Sequence, residues 1–365
     1  MRSPRTRSVP SGIDGFGIIL TTYPFQIMDL SRTKNRLKLM NSYLRKRSDV
    51  AAFPISLIVE STGKCNLKCP MCPREFDSYP PEDMEFELFR QIVDEISGKS
   101  ALVFPWGLGE PLIHPDIFRM VRYCRDAGIY TVVSTNATLL DRERGRKLLE
   151  SGLDNLIIAF DGATPDVYEK YRKNAKFSRV RENILGFLQL KKEYQSDLFV
   201  VLQMVRLPEN QHQINDYRKM WRIEGVDEVR IKEDEIVIPG VSLNEKIRNR
   251  ERRNPCYQLW QGPVHIDYRG DFRPCCHMYD QEPLGNVRDS SIYELWNSEP
   301  MVKMREAHLT GDLTQYPKCR TCHAPNPRLP VILGSFLVNA ERVRQWIPKV
   351  EKLAFLYRVP LFLDR

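Results

Sequence analysis

The sequence predicts an α/β fold built on a parallel sheet with helices outside, followed by a small cysteine-rich unit. Three observations predict it. β-like apolar runs alternate with amphipathic helical runs from residue 56 to residue 232. The alternation breaks at Gly240–Pro255, where Lys246–Arg253 is mostly charged. Seven of the nine cysteines lie in local clusters, at 65/69/72, 275/276 and 319/322. A chain of 365 residues is long enough for one large domain plus a smaller one and needs no disulfide staples to fold.

A basic segment comes first and predicts a helix near Leu30–Arg47. Strands are predicted at Ser56–Ser61, Ala101–Trp106, Tyr130–Ser134, Asn155–Phe160, Phe199–Val205 and Glu228–Lys232. Helices are predicted at Phe86–Ile96, Pro115–Ala127, Asp141–Ser151, Val180–Glu193 and Gln213–Ile223. Six strand–helix repeats at most follow from this pattern, and periodicity alone leaves a partial barrel and a doubly wound sheet both open. After the charged break come a hairpin at Val264–Pro274, turning on Arg269-Gly270-Asp271, and a helix at Ile292–Trp296.

The net charge of +8 is concentrated at the start: residues 1–50 hold ten Lys/Arg against three Asp. Such a segment suits a solvated basic extension or an anionic lipid surface. No nucleic-acid motif and no aromatic interleaving accompany it, so no nucleic-acid partner is expected. No apolar run approaches the roughly 18 residues of a spanning helix. The stretches Val331–Val338 and Leu353–Leu363 flank a segment with Arg342, Arg344, Lys349 and Lys352. They suit either helices packed on the body or peripheral contact with a membrane face. Clustered cysteines point to metal ligation in a reducing cytoplasm rather than to a secreted disulfide framework.

Chemistry is most legible in Cys65-Asn-Leu-Lys-Cys69-Pro-Met-Cys72. Three soft thiolates suit a cubane iron–sulfur cluster and leave its fourth iron open for an exogenous ligand, whereas structural zinc closes with four ligands. The loop resembles that of the radical S-adenosylmethionine superfamily, in which the methionine amino and carboxylate groups chelate the open iron. One electron then cleaves the sulfonium to a 5′-deoxyadenosyl radical that abstracts a substrate hydrogen.

The resemblance implies an incomplete (β/α)6 barrel with its site at the C-terminal strand ends. Companion motifs follow in order. Gly109-Glu110-Pro111 resembles the family's Gly-Gly-Glu motif, with Leu108 replacing the first glycine; Thr135-Asn136 resembles its Thr-Asn-Gly, with Ala137 replacing the glycine. Asp161-Gly162, with Tyr168 and Arg172 behind it, resembles the Ser-Leu-Asp-Gly…Arg segment that meets the methionine carboxylate, with Ala159 lacking the hydroxyl. Gln203 is expected near the nucleoside, and Met71 stands where an aromatic residue commonly packs on adenine.

Cys256, Gly270, Cys275 and Cys319-x-x-Cys322 resemble the shortened SPASM domain, which implies one auxiliary 4Fe–4S cluster. A zinc site closed by the same four cysteines remains open, as does the choice between Cys275 and Cys276. His277 and His323 are read as surface groups or groups behind the ligands, and Cys124 as core.

The expected organisation is a basic extension (1–53), a radical core (54–240), a charged linker (241–255), an auxiliary-cluster domain (256–327) and a basic, apolar tail (328–365). The implied cofactors are a 4Fe–4S cluster, S-adenosylmethionine and one auxiliary 4Fe–4S cluster. The implied partners are a flavodoxin- or ferredoxin-type reductant and a peptide, carbohydrate or other small-molecule precursor as substrate. The expected location is cytoplasmic, with peripheral contact at the inner membrane face. Acid–base candidates are Lys232, Glu233, Asp234 and Glu235 at the sixth strand exit. The alternative function is a non-catalytic iron–sulfur or zinc carrier, which would need the cysteines without the companion motifs.

Overall fold

A computed structural model describes residues 30–75, 79–234, 238, 241, 254–322 and 327–337. Helix α1 (Leu30–Leu44) precedes strand β1 (Ser56–Val59). Then follow α2 (Phe86–Ile96), β2 (Leu102–Phe104), α3 (Ile117–Asp126), β3 (Tyr130–Thr135), α4 (Arg142–Ser151) and β4 (Asn155–Ala159). Two helices, α5 (Pro165–Tyr171) and α6 (Phe177–Glu193), lead to β5 (Phe199–Arg206), α7 (Ile214–Trp221) and β6 (Glu228–Glu233). The cysteine-rich unit contributes α8 (Gln258–Gln261), β7 (Val264–Ile266), β8 (Asp271–Arg273), β9 (Gly285–Asn286), α9 (Ile292–Trp296), α10 (Glu299–Thr310) and α11 (Pro317–Arg320). The last described helix is α12 (Leu329–Leu337).

Local chemistry accounts for these boundaries. In α2, Leu88, Phe89, Ile92, Val93 and Ile96 recur at helical spacing and are all buried. Asp141 caps α4 by accepting the Arg144 amide, and Gly152 closes it in the left-handed conformation at φ +77°. Ser291 and Glu294 form a capping box at the start of α9.

The sheet runs in the order β6-β5-β4-β3-β2-β1-β7-β8-β9. Strands β1 to β6 are parallel and follow one another without reversal, with helices in the crossovers. A doubly wound sheet would reverse direction partway, so the order selects the partial barrel. β7 pairs parallel to the other side of β1, and β8 and β9 add to it antiparallel. The hairpin of the cysteine-rich unit therefore extends the core sheet. Inside the barrel pack Leu102, Val132, Ile157 and Val201; outside, Val133, Leu156, Val200 and Leu202 meet the helices.

Helix α12 packs on α1: Phe336 is fully buried, its ring 5.6 Å from that of Tyr43, and Arg36 Nη1 donates to the Leu337 carbonyl at 2.7 Å. Residues 1–29, 242–253 and 338–365 lie outside the described residues, and with them most of the charged linker, Val338 and the Leu353–Leu363 stretch.

Candidate active site

The exit of β1 carries Glu60 and the loop from Cys65 to Cys72. Cys69 is buried and Cys65 and Cys72 are half-buried. Burial pushes all three thiols up, Cys72 to about 11, so without a cation they stay protonated at neutral pH. Two donors already face the sulfurs: Asn136 Nδ2 is 4.0 Å from Cys65 Sγ, and Arg172 Nη1 is 3.9 Å from Cys69 Sγ. Both favour a negatively charged sulfur set.

The sequence-predicted motifs gather around this loop. A Cβ on Gly109 would stand 2.0 Å from the Thr62 carbonyl oxygen and 2.8 Å from that of Lys64, an approach only glycine permits. Glu110 is buried and accepts from Thr135 Oγ1 (2.7 Å), the Asn136 amide (2.7 Å) and the Leu112 amide (3.1 Å), joining the β2 exit to the β3 exit. Burial pushes its carboxyl up against these bonds. Pro111 opens the turn that follows. Ala137 sits at φ +58°, the region glycine enters freely, where the family carries glycine.

Asp161 is fully buried and accepts from Arg172 Nε at 2.6 Å and from the Val205 amide at 2.7 Å, with Arg172 Nη2 2.5 Å away. Burial works against the guanidinium, and the adjacent Asp161 outweighs it, raising its pKa. Gln203 lies half-buried on β5 between Ala159 and Arg230 of the neighbouring strands.

A cavity of about 240 Å³ opens at the strand exits. Ile58, Met71, Trp106, Leu108 and Val205 give it apolar walls; Lys232, Glu233, Asp234, His265, Cys276, His277 and Tyr279 supply its polar ones. Glu233 is paired with Arg206 at 2.6 Å, and Glu235 lies outside the described residues.

Sequence reasoning missed Glu60 and His265. The fully buried Glu60 carboxylate accepts from the Leu108 amide (2.5 Å), the Gly109 amide (3.3 Å) and the Tyr79 hydroxyl. His265 Nε2 stands 3.7 Å from Glu60 Oε2, and its Nδ1 is buried without a hydrogen-bond partner. An acid inside the apolar run Ser56–Ser61 was the available signal for Glu60.

Cys256, Cys275, Cys319 and Cys322 line a second, small cavity, whereas Cys276 lines the larger one. Burial and the neighbouring thiols Cys276 and Cys256 push the Cys275 thiol well up. His277, half-buried, lines both cavities; His323 lies outside the described residues. Among the described residues no three His, Cys, Asp or Glu side chains close tightly enough on one point to hold a single metal ion. A sulfur-only donor set fits an iron–sulfur cluster, in which each iron takes its own cysteine. Cys124 is fully buried on α3, in the core.

A parallel partial barrel with thiols at its mouth and a second thiol set beside it defines a class of iron–sulfur enzyme. Residues 59–220 match the Radical SAM superfamily, and residues 256–323 match the SPASM iron–sulfur cluster-binding domain. The AdoMet-dependent heme synthase of Methanosarcina barkeri is 35% identical over 319 residues, covering 73% of this chain and 90% of that protein. The tungsten-containing aldehyde ferredoxin oxidoreductase cofactor-modifying protein of Pyrococcus furiosus is 26% identical over 311 residues, covering 73% and 86%. Streptococcus suis SuiB, solved bound to its precursor peptide SuiA, shares the fold with a TM-score of 0.57 at 15% identity, covering 78% of this chain and 72% of SuiB. The chain belongs to the radical SAM superfamily. It is an enzyme whose cofactors are S-adenosylmethionine and 4Fe–4S clusters, the auxiliary clustering belonging to the SPASM domain.

Proposed function

We propose that this radical SAM enzyme oxidises or otherwise modifies a substrate group held between two cluster sites. The observation that carries the reading is the shared cavity. Met71, from the loop of the first three cysteines, forms one wall, and Cys276 and His277, next to Cys275, form another. Cys65, Cys69 and Cys72 hold the cluster that takes S-adenosylmethionine; Cys256, Cys275, Cys319 and Cys322 hold one auxiliary 4Fe–4S cluster. Bound there and reduced, that cluster with S-adenosylmethionine would supply the chemistry of hydrogen-atom abstraction.

This chain's residues orient and shield that chemistry. Gly109 lets the backbone approach the cofactor position, Glu110 and Pro111 fix that backbone, and Thr135 and Asn136 set the next strand exit. Arg172, held by Asp161, presents its remaining donors to the cluster loop, while Gln203 and Met71 border the nucleoside side. Apolar walls exclude water from the reacting group.

The substrate class this reading favours is a peptide that presents one residue to the cavity. Similarity to a heme synthase favours, as a second reading, a small biosynthetic precursor presenting one arm. The electron comes from a flavodoxin- or ferredoxin-type reductant. The chain works in the cytoplasm with peripheral contact at the inner membrane face; among the described residues no helix is long and apolar enough to cross a membrane.

Anaerobic incubation of the reconstituted, reduced protein with S-adenosylmethionine tests the reading. 5′-Deoxyadenosine is the expected product, and its absence from protein with full iron content would sink it. A folded Cys319→Ala variant should keep forming 5′-deoxyadenosine without substrate yet fail to complete turnover.

A further inference from the structure

The membrane contact proposed above has a candidate surface in the two helices at residues 30–44 and 329–337. The structure assigns it to the outer face of α1 together with α12, with an anionic lipid bilayer as the occupant; the assignment rests on that contact. Leu30, Leu37 and Leu44 are 70%, 44% and 48% exposed. They recur every seven residues and so form one stripe along α1, opposite the buried Leu39 and Tyr43.

Helix α12 has no charged residue, and it buries only one side, through Ile332 and Phe336. Off that side Val331 and Leu337 are 61% and 50% exposed, and Leu329, at the start of the helix, is 40% exposed. An uncharged helix normally lies buried, so among the described residues its outward side is an exposed, largely apolar surface. The bond from Arg36 to the Leu337 carbonyl holds the end of α12 against α1.

Charge identifies the occupant. Residues 30–48 contain seven Lys/Arg and no Asp or Glu. Arg32 is turned inward onto the Ala127 and Gly128 carbonyls, but Lys34, Lys38, Arg45, Lys46 and Arg47 are exposed. Lys34, Lys38 and Arg45 fall along one flank of the leucine stripe at helical spacing. An apolar ridge edged by cations, at the surface of a structured domain, matches the depth profile of an anionic interface: acyl chains under a layer of phosphates.

Sedimentation of the full-length holoenzyme with two vesicle types tests the assignment: phosphatidylcholine alone, and phosphatidylcholine with roughly one-third phosphatidylserine at low salt. The wild type should pellet with the anionic vesicles and not with the neutral ones. Replacing Lys34, Lys38 and Arg45 with Gln together should weaken partitioning about 100-fold, at about fivefold per cation. Leu37→Asp with Val331→Asp should weaken it at least tenfold. Arg146→Gln with Lys147→Gln, on α4, should change little. Circular dichroism and iron content check that each variant is folded. A wild type that stays in the supernatant with both vesicles would overturn membrane contact itself. Wild-type pelleting that the α1 and α12 variants leave intact would overturn this face alone. A dimer in solution that Leu37→Asp dissociates would show the face taken by a second copy and overturn the lipid assignment.

Discussion

Cys275 and Cys276 are neighbours in sequence and line different cavities, so one residue step separates the proposed cluster ligand from a wall of the proposed substrate site. Cys275→Ala should cut the iron of reconstituted protein from about eight to about four per chain, while Cys276→Ala should keep about eight. Iron and sulfide assays check both. At Gly109 a methyl group would collide with the Thr62 and Lys64 carbonyls rather than with a yielding side chain. Gly109→Ala should therefore lower S-adenosylmethionine affinity at least tenfold, by equilibrium dialysis, with iron content preserved. Arg172→Met leaves the fully buried Asp161 carboxylate without its cation, and chemical denaturation should show a loss of about 3–5 kcal/mol. Asp161, Arg172 and Glu110 were legible in the sequence because each sits in an ordered motif. Glu60 and His265 sit in no such motif: the lone acid in an apolar run marks Glu60 as unusual without giving it a role, and His265 has no spacing partner.

The predicted strands and long helices agree with the observed ones to within a few residues, since hydrophobic period dominates where one face is buried. Helix α10 escaped prediction for a physical reason. Its buried face carries Arg305 and His308 beside Met301 and Met304, so the apolar period is broken. Arg305 is fully buried and donates to the carbonyls of Leu259, Ser48 and Trp296. Only those distant carbonyls make the residue a core group, and no local pattern shows them. Strand β6 differs from the inner strands: its residues are half-buried or exposed, and among the described residues it pairs on one side only. Hydrogen exchange should accordingly be faster through Glu228–Glu233 than through Tyr130–Thr135. Equal protection of the two strands would contradict this ordering. At α12, Phe336→Ala should cost about 3–5 kcal/mol if the helix folds with the body, measured by thermal denaturation.

At the scale of the molecule, the sequence separates two units that the sheet joins. Periodicity could not reveal this, because β7 pairs with β1 across about two hundred residues and leaves no local trace. Truncation after residue 255 should strip β1 of its β7 partner and bare the apolar face of Leu57, Val59 and Val264's other neighbours. The shortened chain should aggregate on expression, whereas a separable unit would stay soluble and monomeric by light scattering.

The same pairing acts as a ruler. β1 runs out into the Cys65 loop; β7, in register with it at Ile58 and His265, turns back through β8 to Cys275. A ladder of backbone hydrogen bonds thus links the strands that lead to the two thiol sets. A substrate bridging the two proposed cluster sites would therefore meet a separation written into strand pairing, so changing that separation would mean breaking the β1–β7 ladder.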